Sequence, residues 1–250
     1  MILEIFDVEH GACALVTTSN GRRMLIDCGH NATTNWRPGT FLARAGILRL
    51  DRFFVTNYDE DHVSGYPDLL ANVTIDVLVR NPSVLPGIIR YLKTEDGMGN
   101  GIDLLVPSIE GTFTGGAPAA VDFGDTSFSL YWNSYGAPPF GFIDENNLSL
   151  VIFVKCGHHK IIFPGDMEKE GWRRLLQNPE FVQELHGVNL FVASHHGREN
   201  GYCEEVLDLR PQIRAFTFQT RRRGTKPRRR LTAIGSMRAV FLTARISAES

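Results

Sequence analysis

The chain has 250 residues, of which 43% are hydrophobic and 22% charged, and a formal net charge of −2. A chain of this length can bury a sizeable core and is most simply one folded domain. No stretch approaches 18 consecutive apolar residues, and the first eight residues carry Glu4 and Asp7 without a basic n-region. These features argue against a membrane span and a secretory signal, so we expect no membrane association and a cytoplasmic location.

Cysteine usage agrees with this expectation. Cys13, Cys28, Cys156 and Cys203 are widely scattered and show no C-x-x-C spacing. We interpret them as reduced thiols, neither a disulfide framework nor a zinc knuckle. Cys28 follows Asp27, and we interpret it as a small buried thiol.

The charge is unevenly distributed along the chain. Residues 214–230 contain eight Lys and Arg residues and no acidic residue, which leaves −10 for the rest of the chain. This asymmetry is compatible both with nucleic-acid contact and with a solvated tail, and composition does not choose between them. We expect residues 1–218 to form one domain and residues 219–250 to form a basic C-terminal segment of uncertain structure.

In chain order, the predicted elements alternate between strands and short helices. Apolar periodicity and turn signals predict strands at 2–8, 12–18, 22–26, 53–55 and 77–79 and helices at 38–45, 66–71 and 83–93. The stretch 94–124 is rich in Gly, Pro, Ser and Thr and is predicted as long loops around a short strand at 102–106. The remaining predicted elements are strands at 127–132, 148–155, 160–163 and 188–193 and a helix at 168–177.

The most informative stretch is 53–65, where a buried strand ends in Asn57, Asp59, Asp61 and His62. The first three alternate along the chain, so in extended conformation they share one face, which is a spacing suited to metal ligands. The alternative is a strand end followed by a solvated acidic turn. That arrangement is common for one pair of such residues and uncommon for all four behind an apolar strand.

Other strands end in comparable residues, namely Asp27, Asp166 and the pair His195-His196. Several strands that deliver such side chains to one sheet edge would build a single polar site. His158 and His159 also suggest metal binding, but they fall at the tip of a predicted hairpin. We therefore expect these two histidines at the surface.

Six short motifs, in order along the chain, resemble the metallo-β-lactamase fold superfamily and most closely the soluble hydrolase domain of ComEC-type DNA-internalisation (competence) proteins. The motifs are Gly11-Ala12-Cys13-Ala14-Leu15, Leu25-Ile26-Asp27-Cys28-Gly29, Asp59-Glu60-Asp61-His62-Val63-Ser64-Gly65, Asn146-Asn147-Leu148-Ser149-Leu150, Phe163-Pro164-Gly165-Asp166 and Ser194-His195-His196-Gly197. They cover residues 1 to about 209. The resemblance implies a mixed α/β (α+β) fold, a four-layer αββα sandwich that carries metal ligands at one edge, and makes residues 1–218 a hydrolase domain.

The resemblance also implies a set of metal ligands, which are Asn57, Asp59, Asp61, His62, Asp166 and His195. The superfamily has histidine at the positions of the first two. Aspartate at the second fits the ComEC-like branch, whereas an amide at the first is a weaker ligand. Asp166 matches a carboxylate that bridges two metals. His195 is favoured over its neighbour because it comes first after the strand. We expect Asp27, His196 and Asn147 to support these ligands.

Oxygen donors dominate this set, which favours one or two Mn²⁺ ions, with Zn²⁺ as the alternative. Clustered carboxylates repel each other, and a divalent cation would relieve the repulsion and lower the pKa of a bound water. The resulting metal-bound hydroxide would be the nucleophile. We expect Asp61 to orient or deprotonate the water.

The leading hypothesis is a metal-dependent hydrolase, a phosphodiesterase or nuclease whose substrate is a nucleic acid or nucleotide phosphodiester. The alternatives are a hydrolase of a small ester, thioester or lactam, and a remodelled metal-binding regulatory protein of which Asn57 would be a sign. The acidic body opposes binding of a phosphate backbone. Arg22-Arg23, Arg173-Arg174 and the late basic segment would compensate for it.

Overall fold

The computed structural model describes residues 1–95, 97–115 and 120–209, together with the backbone of 214–216 and 243–245. The strands are β1 (Ile2–Ile5), β2 (Ala14–Thr17), β3 (Arg23–Ile26), β4 (Arg49–Leu50), β5 (Arg52–Phe54), β6 (Thr74–Ile75), β7 (Leu78–Val79), β8 (Thr126–Trp132), β9 (Leu150–Cys156), β10 (His159–Phe163), β11 (Leu190–Val192), β12 (Arg214–Phe216) and β13 (Thr243–Arg245). The helices are α1 (Pro38–Arg44), α2 (Glu60–Val63), α3 (Tyr66–Asn72), α4 (Pro86–Leu92), α5 (Asn100–Gly111), α6 (Lys169–Leu175), α7 (Pro179–Leu185) and α8 (Glu204–Asp208). Short 3₁₀ turns cover Ser194–Gly197 and Glu199–Gly201.

Two sheets form the centre of the fold. The first has the order β13-β1-β2-β3-β5-β7, the second has the order β12-β11-β10-β9-β8, and β4 pairs with β6 beside them. In the first sheet β3, β5 and β7 run parallel, and in the second β10, β11 and β12 run parallel. Neighbouring parallel strands end at the same edge of a sheet. The residues that follow β3 and β5 therefore leave one edge, as do those that follow β10 and β11.

Successive side chains of a strand point to opposite faces, and this alternation builds the layers. Val151 and Phe153 of β9 pack in the core beneath α6 and α7, whereas Leu150 and Ile152 pack against the inner face of the first sheet. Leu25 of β3 packs in a third core, beneath α1, α3 and α5. Because β9 is covered on both faces, its residues are almost all buried. Helices thus cover both outer faces, which confirms the four-layer αββα sandwich.

The predicted short strand at 102–106 is wrong, because α5 spans Asn100–Gly111. The buried residues Ile102, Leu105, Val106 and Ile109 recur at helical spacing, which outweighs the Gly and Pro signals around them. Helix α7 was not predicted, although Asn178 caps its first turn by accepting a hydrogen bond from the Glu180 N–H at 2.9 Å.

The expectations for the cysteines and for His158 and His159 agree with the structure. The four cysteines are free and buried, and both His158 and His159 are exposed at the turn between β9 and β10. Among the described residues, no helix combines the length and apolar character needed to cross a membrane. The segment 219–250 lies outside the described residues apart from β13, which pairs antiparallel with β1. The boundary at residue 218 stays a prediction.

Candidate metal centre

Residues that follow four strands of the two sheets come together at the edge of the sandwich. Asp27 follows β3, Asp61 and His62 lie in α2 just after β5, Asp166 follows β10, and His196 follows β11. All but Asp61 are almost fully buried. The two sheets therefore build one site together, which neither sheet forms alone.

The centre of the site is a cluster of two carboxylates and two imidazoles. Nε2 of His62 lies 3.0 Å from Oδ1 of Asp166, and Nε2 of His196 lies 3.3 Å from Oδ2 of Asp166. The same His196 nitrogen lies 3.2 Å from Oδ2 of Asp61. One ligand atom each from Asp61, His62 and His196 all lie within 4.8 Å of one another. Atoms at such separations can bind one cation together.

Asp27 supports His62 from behind. Its Oδ2 lies 2.9 Å from Nδ1 of His62 and also accepts a hydrogen bond from the Thr56 hydroxyl. The backbone N–H of Thr56 donates to the other Asp27 oxygen at 2.7 Å. A carboxylate on Nδ1 fixes the tautomer and leaves Nε2 free to bind a metal. This position matches the supporting role expected for Asp27, which stays a prediction until tested.

The backbone of the site is held in costly conformations. Asp27, His195 and His196 have φ values of 54°, 48° and 53°, in the left-handed region that non-glycine residues rarely occupy. Such conformations cost on the order of 1–3 kcal/mol each and cluster at functional sites. Gly11, at φ 121°, lies so close to the Asp61 loop that a Cβ there would meet the Asp61 carbonyl oxygen at 2.1 Å. Glycine therefore lets this loop sit against the start of β2.

The buried charges of the cluster stabilise each other. Burial alone would raise the pKa of Asp61, but His196 and His62 outweigh it and lower the pKa to about 2. Burial likewise opposes ionisation of Asp166, yet the same histidines hold its pKa well below the usual range. For His196, burial lowers the pKa, and the Asp166 and Asp61 carboxylates reverse this and raise it to about 9. Asp166 and Asp27 also raise the pKa of His62 well above its usual value, despite its burial. The carboxylates thus favour positive charge in this cluster.

The donor set fits a divalent cation. Nε2 of His196 is buried and lies within 3.3 Å of two carboxylates, those of Asp61 and Asp166. In the deprotonated imidazole the lone pair of this nitrogen would face two carboxylates, and a cation held among them would relieve that repulsion. Imidazole nitrogens with carboxylate oxygens form a common set for first-row divalent metals.

Of the two histidines in this loop, His196 lies closer to the carboxylates of the cluster. Nε2 of His195 is 3.7 Å from Asp166, and it lies 2.7 Å from the Arg198 guanidinium. Its Nδ1 is 3.2 Å from a Glu168 oxygen. The two histidines have the same unusual backbone conformation. Their rings nevertheless contact different groups, and the order of the two residues along the chain does not reveal which ring faces the cluster.

The other predicted ligands lie in a separate, oxygen-rich part of the site. Asn57 is fully buried, and its side-chain oxygen accepts a hydrogen bond from the Asp59 N–H at 2.7 Å. Its Nδ2 donates to Ser149 Oγ at 3.1 Å. Asp59 forms an ion pair with Lys93. Asn147 accepts a hydrogen bond from the Gly171 N–H at 2.8 Å and so holds the start of α6.

Sequence reasoning missed four charged residues around the site, namely Lys93, Glu145, Glu168 and Arg198. Lys93 follows α4 and reaches Asp59 and Glu145, while Arg198 reaches His195. Lys93 is separated from its partners by 34 and 52 residues, so no local spacing reveals these contacts. Arg198 lies only three residues from His195, so the local sequence could have indicated this contact.

No protein-family model matches the chain. The anti-Pycsar protein Apyc1 of Bacillus phage BSP38 is 33% identical over 118 residues, which cover 42% of this chain and 44% of that protein. ComE operon protein 3 of Bacillus subtilis is 24% identical over 227 residues, or 84% of this chain and 27% of that protein. Ribonuclease Z of Bradyrhizobium diazoefficiens is 35% identical over 98 residues, or 36% of this chain and 31% of that protein.

The chain therefore spans less than half the length of each of these relatives. The chain resembles the metallo-β-lactamase fold superfamily, and the match to ComE operon protein 3 is consistent with the ComEC-like resemblance of its motifs.

Proposed function

We propose that this chain is a metal-dependent phosphodiesterase in which Asp61, His62, Asp166 and His196 hold a divalent cation. The observation that carries the proposal is the buried carboxylate–imidazole cluster, in which Nε2 of His196 lies within 3.3 Å of two carboxylates. The cluster and the fold resemblance support a metal-dependent hydrolase. The phosphodiester as substrate is the finer part of the proposal.

Each protein group has a distinct task. A bound divalent cation supplies Lewis acidity, because it polarises an ester and lowers the pKa of water. Asp27 orients His62, and Asp166 lies between the two imidazoles. The Asp61 side chain is 32% exposed, whereas that of Asp166 is 2% exposed, so Asp61 is the carboxylate that can accept a hydrogen bond from an attacking water. With a pKa of about 2 it is ionised at neutral pH.

A phosphodiester is supported by resemblance and by one local cation. The similar proteins include a ribonuclease, and the motifs resemble ComEC-type DNA-internalisation proteins. Exposed Arg198 lies beside His195 at the rim of the cluster, where a guanidinium can bind a phosphate oxygen. By contrast, Arg22 is paired with Asp51, and Arg173 with two glutamates. These two arginines do not supply the compensating charge expected of them unless their ion pairs open.

The identity of the metal is open to experiment. The preference for Mn²⁺ depended on oxygen donors from Asn57 and Asp59, whose oxygens are engaged by a backbone N–H and by Lys93. The four clustered residues offer two nitrogen and two oxygen donors, a set that both Zn²⁺ and Mn²⁺ accept. Titration of chelated protein with each ion, followed by activity assays, distinguishes the two.

The decisive test is turnover of single-stranded DNA, duplex DNA and cyclic nucleotides with Mn²⁺, Mg²⁺ and Zn²⁺. We expect wild-type protein to hydrolyse at least one phosphodiester and Asp61→Asn to lose at least about 100-fold in turnover, since it removes a group that acts on the water. Asp103→Asn, an exposed carboxylate change on α5, serves as the matched control and should retain full activity.

Two outcomes would replace the proposal. Hydrolysis of thioesters or lactams without phosphodiester cleavage would identify the other hydrolase class. Tight metal binding without turnover of any ester would favour the remodelled regulatory protein, for which the altered environment of Asn57 is the specific observation.

A further inference from the structure

The part of the site that contains Asn57 and Asp59 is already satisfied by protein groups. The side-chain oxygen of Asn57, its only atom suited to a metal, accepts the Asp59 N–H at 2.7 Å. Its amide group donates to Ser149 Oγ, which also accepts the N–H of Asp166 at 3.1 Å. Asn57 is therefore a structural link between the two parts of the site.

The ammonium group of Lys93 lies between the carboxylates of Asp59 and Glu145. The side chain of Lys93 is 4% exposed, and its Nζ forms ion pairs with Asp59 and, at 2.8 Å, with Glu145. A buried ammonium is stable only when carboxylates surround it. Although burial opposes its charge, these two carboxylates raise the pKa of Lys93 above its usual value. The ammonium is therefore held in place by two carboxylates.

The oxygen-rich part also lacks a replacement ligand. Asn147, which lies in the nearby 144–149 loop, uses its oxygen to accept the Gly171 N–H and points its amide group to Asp144, 3.3 Å away. Among the described residues, a group of three or more His, Cys, Asp or Glu ligand atoms occurs only at Asp61, His62 and His196. With Lys93 paired to Asp59 and Glu145, a second divalent ion finds no comparable donor set here.

We infer that Lys93 occupies the place of a second divalent cation, so that the chain binds one metal ion, at the Asp61–His62–Asp166–His196 cluster. The inference rests on the proposed function for the existence of the first metal site. It assigns Lys93 as a positioning residue: its ammonium neutralises Asp59 and Glu145 and holds the loop before α2 against the 144–149 loop.

The inference is tested by counting metal ions, which is independent of catalysis. Full-length protein is stripped with chelator, dialysed against Mn²⁺ or Zn²⁺, and measured by elemental analysis and native mass spectrometry. We expect one ion per chain. We also expect Asp59→Asn to keep one ion with an affinity within about threefold of wild type, whereas Asp61→Asn should weaken binding by at least about tenfold.

A second test removes the ammonium group of Lys93. Lys93→Met leaves Asp59 and Glu145 without their cation, so we expect a second ion per chain and a melting temperature that rises further as the metal concentration increases. Lys155→Met is the matched control, because Lys155 pairs with Glu184 at the opposite end of β9. It should bind one ion, like wild type.

Two results would overturn the inference. One is two ions in the wild type that fall to one in Asp59→Asn, and the other is a Lys93→Met protein that binds one ion without metal-dependent recovery of its melting temperature. If Lys93→Met does not fold, the wild-type and Asp59→Asn counts still decide. Absence of phosphodiester turnover with a count of one would reject the proposed function and leave the role of Lys93 standing.

Discussion

His62 shows how a single side chain is held in the cluster, since one carboxylate lies on each ring nitrogen. We predict that Asp27→Asn weakens metal affinity by about 10–100-fold, because an amide on Nδ1 no longer favours the tautomer that leaves Nε2 free. Competition with a fluorescent chelator measures the change. Asp51→Asn is the control, because Asp51 is also buried but accepts hydrogen bonds from Arg22 and the Arg23 N–H, away from the cluster. An unchanged affinity in Asp27→Asn would contradict the supporting role.

Substitution of each of the two neighbouring histidines, His195 and His196, tests which ring binds the metal. We predict that His196→Asn reduces metal affinity by more than about tenfold and that His195→Asn changes it less than threefold. The reason is geometric: Nε2 of His196 lies near two carboxylates of the cluster, whereas that of His195 contacts Arg198. Calorimetric titration of both variants makes the comparison. Equal losses would mean that both rings bind the metal, and a loss confined to His195→Asn would support the assignment of His195 made from chain order.

At the scale of elements, the site depends on how the loop around α2 packs on its neighbours. We predict that Gly11→Ala lowers the free energy of unfolding by more than about 3 kcal/mol and weakens metal binding, because its Cβ would collide with the Asp61 backbone. Gly21→Ala is the matched control: its φ is 82°, but nothing lies within 4 Å of the added Cβ. It should cost only about 1–2 kcal/mol, the penalty for the left-handed conformation. Chemical denaturation measures both, and equal losses would show that φ alone matters.

Strand ends were predictable and their surroundings were not. Alternating or continuous apolar runs located β3, β5, β10 and β11, and the residues that follow these strands meet because parallel strands end at one edge. The parallel pairing of these strands joins residues far apart in sequence, so local patterns do not reveal it. The order of the six motifs implied it through the fold that they resemble. Helix α5 was missed because Gly and Pro obscured its periodicity. In addition, the carboxylate that accepts the Gly101 N–H at its N-terminus belongs to Glu60, 41 residues away, so no local capping residue marks the start of the helix.

Spacing alone did not predict the contacts made by residues 57–61, for a related reason. Alternation along 57–61 assumes an extended chain, but Asn57 turns its oxygen back to the Asp59 N–H and Asp61 lies within α2. The strand has ended by then, so residues two apart no longer share a face. The contacts of Lys93 depend on where α4 ends relative to the 144–149 loop, which only tertiary structure fixes.

At the scale of the whole molecule, the cluster ties the two sheets together, so its charge state contributes to global stability. His62 and Asp61 belong to the first sheet's edge, whereas Asp166 and His196 follow strands of the second. The ion pairs between these residues therefore exist only in the folded state, in which the two sheets pack together. The pH dependence of unfolding should report this connection, with opposite signs for protein with and without metal.

In chelated protein, we predict that stability falls as pH rises from about 6.5 to 9. The pKa of His196 is raised to about 9 in the fold, against about 6.5 in an unfolded chain. A raised pKa stabilises the folded state fully below the unfolded value, and this contribution is lost as pH passes through the folded value. The shift corresponds to on the order of 3 kcal/mol, and the raised pKa of His62 acts in the same direction. Urea denaturation at a series of pH values in chelator measures it.

With saturating metal, the prediction reverses, because a cation and protons compete for the same imidazoles and carboxylates. The metal binds deprotonated His196 more strongly as pH rises, so the stability that protons supplied below pH 6.5 is replaced by metal above it. The two profiles should therefore diverge with increasing pH, and the His196→Asn variant should flatten the chelated profile. Profiles that stay parallel across this range, with and without metal, would show that the cluster is not where the metal binds.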